Sequence, residues 1–370
     1  MRLRAQAREL GAVDLRVTDA AVDAEARERM RRSFARGDFE TWGYDDRYAA
    51  AANDAATLLP TARRVICVAV PYRTAEPRQA PLSGRVSNYA WSADYHATLA
   101  ALLRTLAATL DDFAGMPVTR VVCDTAPIGE RARAARAGLG WIGKHTSLIS
   151  PDAGSYVFLG EIVTSLELPV DAPLRKSCGS CVRCVEACPT GALRGDYTID
   201  ARRCIADLTQ RTDSIPLEMR PYVGEWVWGC DLCQVVCPPN EQARVSGSVT
   251  FQPVDATTAA PDLVELLQLK SAEYKRRYRK TAMGWRGAAV LRRNAAIALG
   301  NRLDRSTVPA LARALAHDPH PMVRGAAAWA LGRIASLPAV AALRTAARLE
   351  QERSVREEIF LAQRDAAGTV

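Results

Sequence analysis

Eight of the ten cysteines in this 370-residue chain fall between positions 178 and 237. Cys178, Cys181, Cys184 and Cys188 follow a C-x2-C-x2-C-x3-C spacing and lead at once into Pro189. Cys230, Cys233 and Cys237 lead into Pro238, and Cys204 stands alone between the two runs. Three thiolates on a tight loop can hold three corners of an iron–sulfur cube, while the cysteine ahead of the proline serves a second cube. The spacing assigns one 4Fe–4S cluster to Cys178, Cys181, Cys184 and Cys237, and another to Cys188, Cys204, Cys230 and Cys233. Cys204 takes the place of the first cysteine of a compact second run. Zinc and disulfides are the competing readings. C-x2-C pairs do bind zinc, but two proline-terminated runs exceed one tetrahedral site. Disulfides need an oxidising compartment and are dense mainly in small scaffolds. Two clusters mean single-electron transfer toward a site elsewhere in the chain.

The second chemical stretch is Asp124-Thr-Ala-Pro-Ile-Gly-Glu130-Arg131, continuing into Gly138-Leu-Gly-Trp141-Ile-Gly-Lys144-His145-Thr146. An acidic residue at the C-terminal end of a strand, before a turn and a helix, is a common position for site residues. A Gly-rich turn ending in Lys144 lets a planar or anionic ligand approach the backbone. A helix-capping Asp beside a structural glycine turn fits the spacing equally well.

The elements around these stretches read as alternating helices and strands over residues 1–170, an α/β or α+β pattern. Helices are expected over 2–10, 22–36, 92–115 and 129–138, and strands over 13–17, 65–70 and 118–123. Tyr156–Leu159 and Ile162-Val163 are expected as a strand pair. The apolar run Val65–Val70 suits a strand buried on both faces. Cys67 and Cys123 fall within strands and read as small buried hydrophobes. From about residue 261 the chain is helical and repetitive. Leu291-Arg292, Val323-Arg324 and Val355-Arg356 recur every 32 residues, and Ala298-Leu299-Gly300 recurs as Ala330-Leu331-Gly332. That period indicates stacked helix pairs of the HEAT type.

With 48% hydrophobic and 24% charged residues, the composition is that of a globular protein. No apolar run approaches the ~20 residues that span a bilayer. The N-terminus is charged, with no apolar signal core, so a cytoplasmic location and no membrane partner are expected. A net charge of +8 favours a polyanionic partner.

Taken together, Asp124-Thr125-Ala126-Pro127 with Glu130-Arg131, Gly138–Lys144, Leu159-Gly-Glu161, the cysteine ladder and the helical repeat resemble the epoxyqueuosine reductases. Asp94-Tyr95-His96, Gly229-Cys-Asp-x-Cys-Gln234 and Arg293-Asn294-Ala295 extend the resemblance over essentially the whole chain. The resemblance implies three domains: an α/β (α+β) cobalamin-binding catalytic domain (1–170), a ferredoxin-like domain with two 4Fe–4S clusters (171–245) and an all-α HEAT-like repeat domain in contact with tRNA (246–370). It implies an oxidoreductase, related to the reductive dehalogenases, that reduces epoxyqueuosine to queuosine at the wobble position of tRNAs for Asp, Asn, His and Tyr.

By the same resemblance Asp124 is the proton donor, a role that calls for a carboxyl kept protonated by burial. The family pattern makes Arg47, Asp124, Ser147, Leu148 and the Cys230-Asp231 peptide candidates to line the corrin; for Arg47 a plain surface role competes. His96 lacks the following glycine of a D-x-H-x-x-G motif. Base-off cobalamin without a protein ligand on cobalt is therefore expected, with His96 a packing or hydrogen-bonding residue. The chain departs from the family pattern at Gly129 and Pro239, where Leu and Trp are common. A flavodoxin or ferredoxin is the expected electron donor, and a monomer the expected state.

Lys275-Arg-Arg-Tyr-Arg-Lys280, Trp285-Arg286 and Arg292-Arg293 interleave basic and aromatic residues. Such groups suit phosphate contacts to an RNA whose base is extruded, although a solvated helical face competes. The resemblance favours tRNA, with Lys280, Arg286, Arg292 and Arg293 as contacts. Two rival functions frame the comparison. A reductive dehalogenase-like enzyme would normally carry an export signal and lack the repeat. A non-catalytic electron-transfer protein leaves Asp124 and the Gly138–Lys144 turn without a purpose.

Overall fold

The computed structural model describes residues 2–77, 79–243 and 251–367. It divides into two compact units assembled from interleaved stretches of chain. One comprises Met1–Ala75, Asp94–Arg202 and Asp231–Gln252; the other Glu76–Ala93, Arg203–Cys230 and Pro253–Val370. Among the described residues no helix is long and apolar enough to cross a membrane.

The first unit is built on a four-stranded antiparallel sheet, so the α+β form of the expectation holds. Its strands are β1 (Asp14–Asp19), β2 (Arg64–Pro71), β3 (Thr119–Val122) and β4 (Val157–Thr164), in the order β1-β2-β4-β3. Around it lie helices α1 (Arg2–Glu9), α2 (Ala24–Ala35), α3 (Tyr95–Ala114) and α4 (Glu130–Arg136). β2 is central and its interior residues are wholly buried, which accounts for its unbroken apolar run. Helix α3 packs on the sheet through Leu99 and Leu103, and Gly160 of β4 leaves the space that the Leu103 side chain fills. The other face carries Val65, Cys67 and Val122 against Ala134 and Ala137 of the α4 region. Cys67 and Cys123 are free and buried, as expected.

β4 is one continuous strand where the sequence suggested two. Gly160 does not break it, because the glycine pairs with Val68 under Leu103. The next residue, Glu161, lies opposite both Cys67 and Val122 and is fully buried.

In the second unit helices α5 (Ala288–Arg302), α6 (Val308–His317), α7 (Pro321–Ile334), α8 (Leu337–Leu349) and α9 (Arg353–Ala367) stack as the repeat predicts. The recurring residues have matching roles. Arg292 pairs with Asp318 at 2.7 Å and Arg324 with Glu350 at 2.7 Å, each 26 positions on. A Cβ on Gly300 would stand 2.8 Å from Ala330 Cα, and one on Gly332 would stand 2.8 Å from Ala362 Cα. The glycine of each Ala-Leu-Gly thus lets the next repeat's helix approach closely.

Candidate active site and cluster loops

Asp124 follows the end of β3 with φ of +55°, a left-handed conformation that only short polar side chains and glycine adopt readily. Its backbone N–H donates to Glu130 Oε1 at 2.7 Å, which ties the turn to the first residue of α4. Its carboxylate meets the start of α3. Asp124 Oδ2 accepts from the Tyr95 hydroxyl at 3.0 Å and lies 3.0 Å from His96 Nε2. Asp94 caps α3 by accepting the His96 backbone N–H, and its Oδ1 lies 2.6 Å from His96 Nδ1. Tyr95 is fixed in turn by stacking on Phe158, with ring centroids 4.2 Å apart and planes 4° apart. Two carboxylates therefore hold one imidazole between them. The group remains accessible, with 56% of the Asp124 side chain and 32% of the His96 side chain exposed.

The electrostatics correct one expectation. Asp124 is held below the ordinary carboxylate range, first by the His96 hydrogen bond and then by Tyr95, with burial acting in the opposite direction. His96 is raised to about 9, chiefly by its hydrogen bond to Asp124. At neutral pH the shared proton therefore resides on His96, and both ring nitrogens donate to carboxylates. His96 is thus a hydrogen-bonding residue, one of the two roles expected for it, placed between Asp94 and Asp124. The sequence signal was present in Asp94-Tyr95-His96, but only the fold brings α3's first turn to the end of β3.

Behind Asp124 stand two further carboxyls. Burial raises Glu130 to about 7. Glu161 is raised well above the ordinary value, first by burial and then by Glu130, and neither of its oxygens has a hydrogen-bond partner among the described residues.

The glycine turn serves packing. A Cβ on Gly138, at φ +84°, would stand 2.3 Å from the Ala172 carbonyl, and one on Gly140 would stand 2.3 Å from the Ile149 carbonyl. Chain segments, and not a ligand, occupy the space beside both glycines. Lys144 turns to the cysteine loop: its backbone N–H points at Cys178 Sγ at 3.4 Å, and Nζ donates to the Gly179 carbonyl at 3.0 Å. Cys178, Cys181, Cys184 and Cys237 are free thiols. Cys237 is pushed up to about 12 by burial and by the other three. That mutual influence, with an N–H aimed at sulfur, fits thiolates gathered around a cluster. Among the described residues no three ligating side chains close around one point as for a single ion. Cys188, Cys204, Cys230 and Cys233 form no disulfide.

Of the corrin candidates, Arg47 is exposed in the helix Asp46–Ala52, and Ser147 donates its N–H to His145 Nδ1 at 3.2 Å. Leu148 buries its side chain in the core cluster with Val65 and Val163. Asp231 is buried. Next to Arg47, Tyr48 stacks on Tyr44 at 4.2 Å, an aromatic pair that no spacing rule marked. A surface cleft of about 580 Å³ between α2 and α4 is lined by Arg29, Arg136, Trp141 and Lys176, and does not include Asp124.

The basic residues separate into two kinds. Lys280 is exposed, and the Arg286 guanidinium lies 3.7 Å from the ring centre of the exposed Trp285. Arg292 and Arg293 are buried and are removed from the set of RNA contacts. Arg292 forms the repeat's ion pair with Asp318. Arg293 donates to the carbonyls of Leu208 at 3.0 Å and Arg211 at 2.9 Å and to Asn294 Oδ1 at 2.7 Å, bonds that leave no donor geometry for phosphate.

Comparison with known proteins agrees with this architecture. The pattern of a 4Fe–4S double cluster binding domain matches residues 177–240, that of epoxyqueuosine reductase QueG residues 53–125, and that of HEAT repeats residues 287–362. The epoxyqueuosine reductase of Bacillus cereus is 37% identical over 82% of this chain and 80% of its own length. That of Pseudomonas aeruginosa is 37% identical over 88% and 92%. A crystal structure of epoxyqueuosine reductase with an epoxyqueuosine-modified tRNA-Tyr stem loop superposes with a TM-score of 0.93 at 31% identity, covering 99% of this chain and 98% of that one. The chain belongs to the epoxyqueuosine reductase family.

Proposed function

We propose that this chain reduces the epoxide of epoxyqueuosine in tRNA to the alkene of queuosine, with the Asp124–His96 pair as its proton donor. The observation that carries the reading is the 3.0 Å contact between His96 Nε2 and Asp124 Oδ2 on an accessible edge of the sheet. A relative held with a modified stem loop supports tRNA as substrate. The reaction requires electrons, a reductant able to act on carbon, and a proton for the departing oxygen.

Free, mutually interacting thiols fit the first cluster, to be held by Cys178, Cys181, Cys184 and Cys237. The cysteine spacing assigns Cys188, Cys204, Cys230 and Cys233 to the second. Asp124 is accessible to a cofactor beside it, with Arg47, Ser147 and the Cys230-Asp231 peptide as proposed corrin contacts. When bound, cobalamin supplies a low-valent cobalt as reductant, and the clusters supply electrons one at a time. The protein's own part is orientation and proton transfer. Tyr95 and His96 aim the Asp124 carboxylate, Asp94 fixes the imidazole, and the proton moves from His96 through Asp124 to the epoxide oxygen. Lys280 and Arg286 would meet tRNA phosphates, with Trp285 offering a stacking surface. A cytoplasmic monomer served by a flavodoxin or ferredoxin completes the proposal.

The test is anaerobic reconstitution with iron, sulfide and cobalamin, followed by incubation with epoxyqueuosine-containing tRNA. Saturable corrin binding and conversion to queuosine are expected. Cluster absorbance without corrin binding would instead identify an electron-transfer protein.

A further inference from the structure

Reducing an epoxide to an alkene takes up two electrons and two protons and releases water. The His96–Asp124 pair holds one transferable proton, so a second must reach the same oxygen before water departs. The structure places a candidate directly behind the pair. Glu130 Oε1 accepts the Asp124 backbone N–H at 2.7 Å, and Asp124 is held there in a left-handed conformation. Deeper in, Glu161 is 0% exposed, and both its carboxyl oxygens lack a partner among the described residues. Its backbone pairs with Val122, two positions before Asp124. A buried ionised carboxylate without a partner is untenable, so Glu161 is a neutral acid.

We infer that Glu130, backed by Glu161, is the store of the reaction's second proton and reloads Asp124 after the first transfer. The inference rests on the proposed epoxide reduction. In the reloading step an O–H bond on Glu130 breaks and one forms on the Asp124 carboxylate, with the electrons coming only from the enzyme's reductant. The Glu130 carboxylate so produced keeps the Asp124 N–H and the nearby Arg131 charge as stabilising partners.

The charges around the store favour this use. On the Asp124 side stand Asp124 itself, His96 and Arg131. Cys67 on β2, Cys123 beside Asp124 and Tyr48 feel Glu130 from the other sides. Arg133 is the cation that acts on Glu161, but its Nη2 donates to the Asn53 carbonyl at 2.9 Å. Glu130 rises to about 7, the value suited to giving up a proton at neutral pH.

The test uses Glu130→Gln, which keeps an oxygen to accept the Asp124 N–H and removes only the proton. In the reconstituted enzyme, single-turnover conversion of epoxyqueuosine tRNA should slow by about a hundredfold. The wild-type loss of rate as pH rises through about 7 should disappear, and small buffer acids should restore part of the rate. A Glu130→Gln profile that matches wild type in rate and pH dependence overturns the inference. A second reading needs no cofactor. Infrared spectra of the unloaded protein at pH 7 should show neutral carboxyl C=O bands that diminish separately in Glu130→Gln and Glu161→Gln. Their absence overturns the proton store even if the wild type converts substrate. Bands present without wild-type conversion would instead count against the function it serves.

Discussion

His96 Nε2 lies 3.0 Å from Asp124 Oδ2, while its Nδ1 lies 2.6 Å from Asp94 Oδ1, so one imidazole is held between two carboxylates. The arrangement makes the proton on His96 hard to remove and leaves Asp124 ionised at rest. In the proposed mechanism Asp124 is then a conduit for a proton that its neighbour stores.

The pH dependence follows with its sign. His96 is raised to about 9, so its proton is fully present below the ordinary histidine value and is lost as pH rises through about 9. Both activity and the pair's contribution to stability should fall along that limb. Asp124→Asn removes the first cause of the shift, so the His96 titration followed by NMR should move toward neutral pH. An unmoved titration would contradict the pairing.

Glu161 makes a prediction about stability alone. Its folded-state value lies well above the ordinary 4.5. The folded protein therefore binds a proton that the unfolded chain releases, and stability declines as pH rises past that value. Glu161→Gln should remove a slope of about 1.4 kcal/mol per pH unit. Urea unfolding of wild type and variant between about pH 5 and 7 reads the difference. Parallel slopes would mean that Glu161 is ionised in the fold.

The basic residues divide between binding and folding. Charge reversal at Lys280 or Arg286 should weaken tRNA binding and reduce the log–log salt slope by about 1 per lost phosphate contact. Arg293→Met should instead cost about 3–5 kcal/mol of stability, because several buried carbonyls lose their donor. Its folded fraction should bind tRNA with an unchanged salt slope. Thermal melts and binding titrations in varied salt separate the two classes.

The repeat glycines are equally testable. Gly300→Ala and Gly332→Ala each place a methyl 2.8 Å from a Cα of the neighbouring helix. Overpacking of this kind costs about 1–3 kcal/mol. A melting temperature equal to wild type in both variants would show that the helices part without cost.

These residues also show what sequence could and could not deliver. Spacing alone was enough for the cysteine ladder and the 32-residue repeat, because cluster ligation and helix-pair stacking both impose a fixed period. It could not reveal that Arg292 and Arg293 face inward, since a basic run does not state which face a helix buries. It left Gly138 and Gly140 open between a ligand approach and a structural turn; their small size serves an approaching carbonyl. Asp124 was legible as a candidate site residue from family motifs. Its low proton affinity was not, because that depends on a histidine 28 positions earlier being carried to the end of β3 by the antiparallel sheet. Glu161 was visible in the Leu159-Gly-Glu161 motif, between two expected strands; that its carboxyl lies buried without a partner among the described residues was not.

The most direct measurement is anaerobic single turnover of epoxyqueuosine-containing tRNA by reconstituted wild type and Asp124→Asn, read by mass spectrometry of the released nucleosides. The account predicts queuosine from the wild type and none from the variant, with corrin bound equally by both. Queuosine formed by Asp124→Asn at the wild-type rate would contradict it.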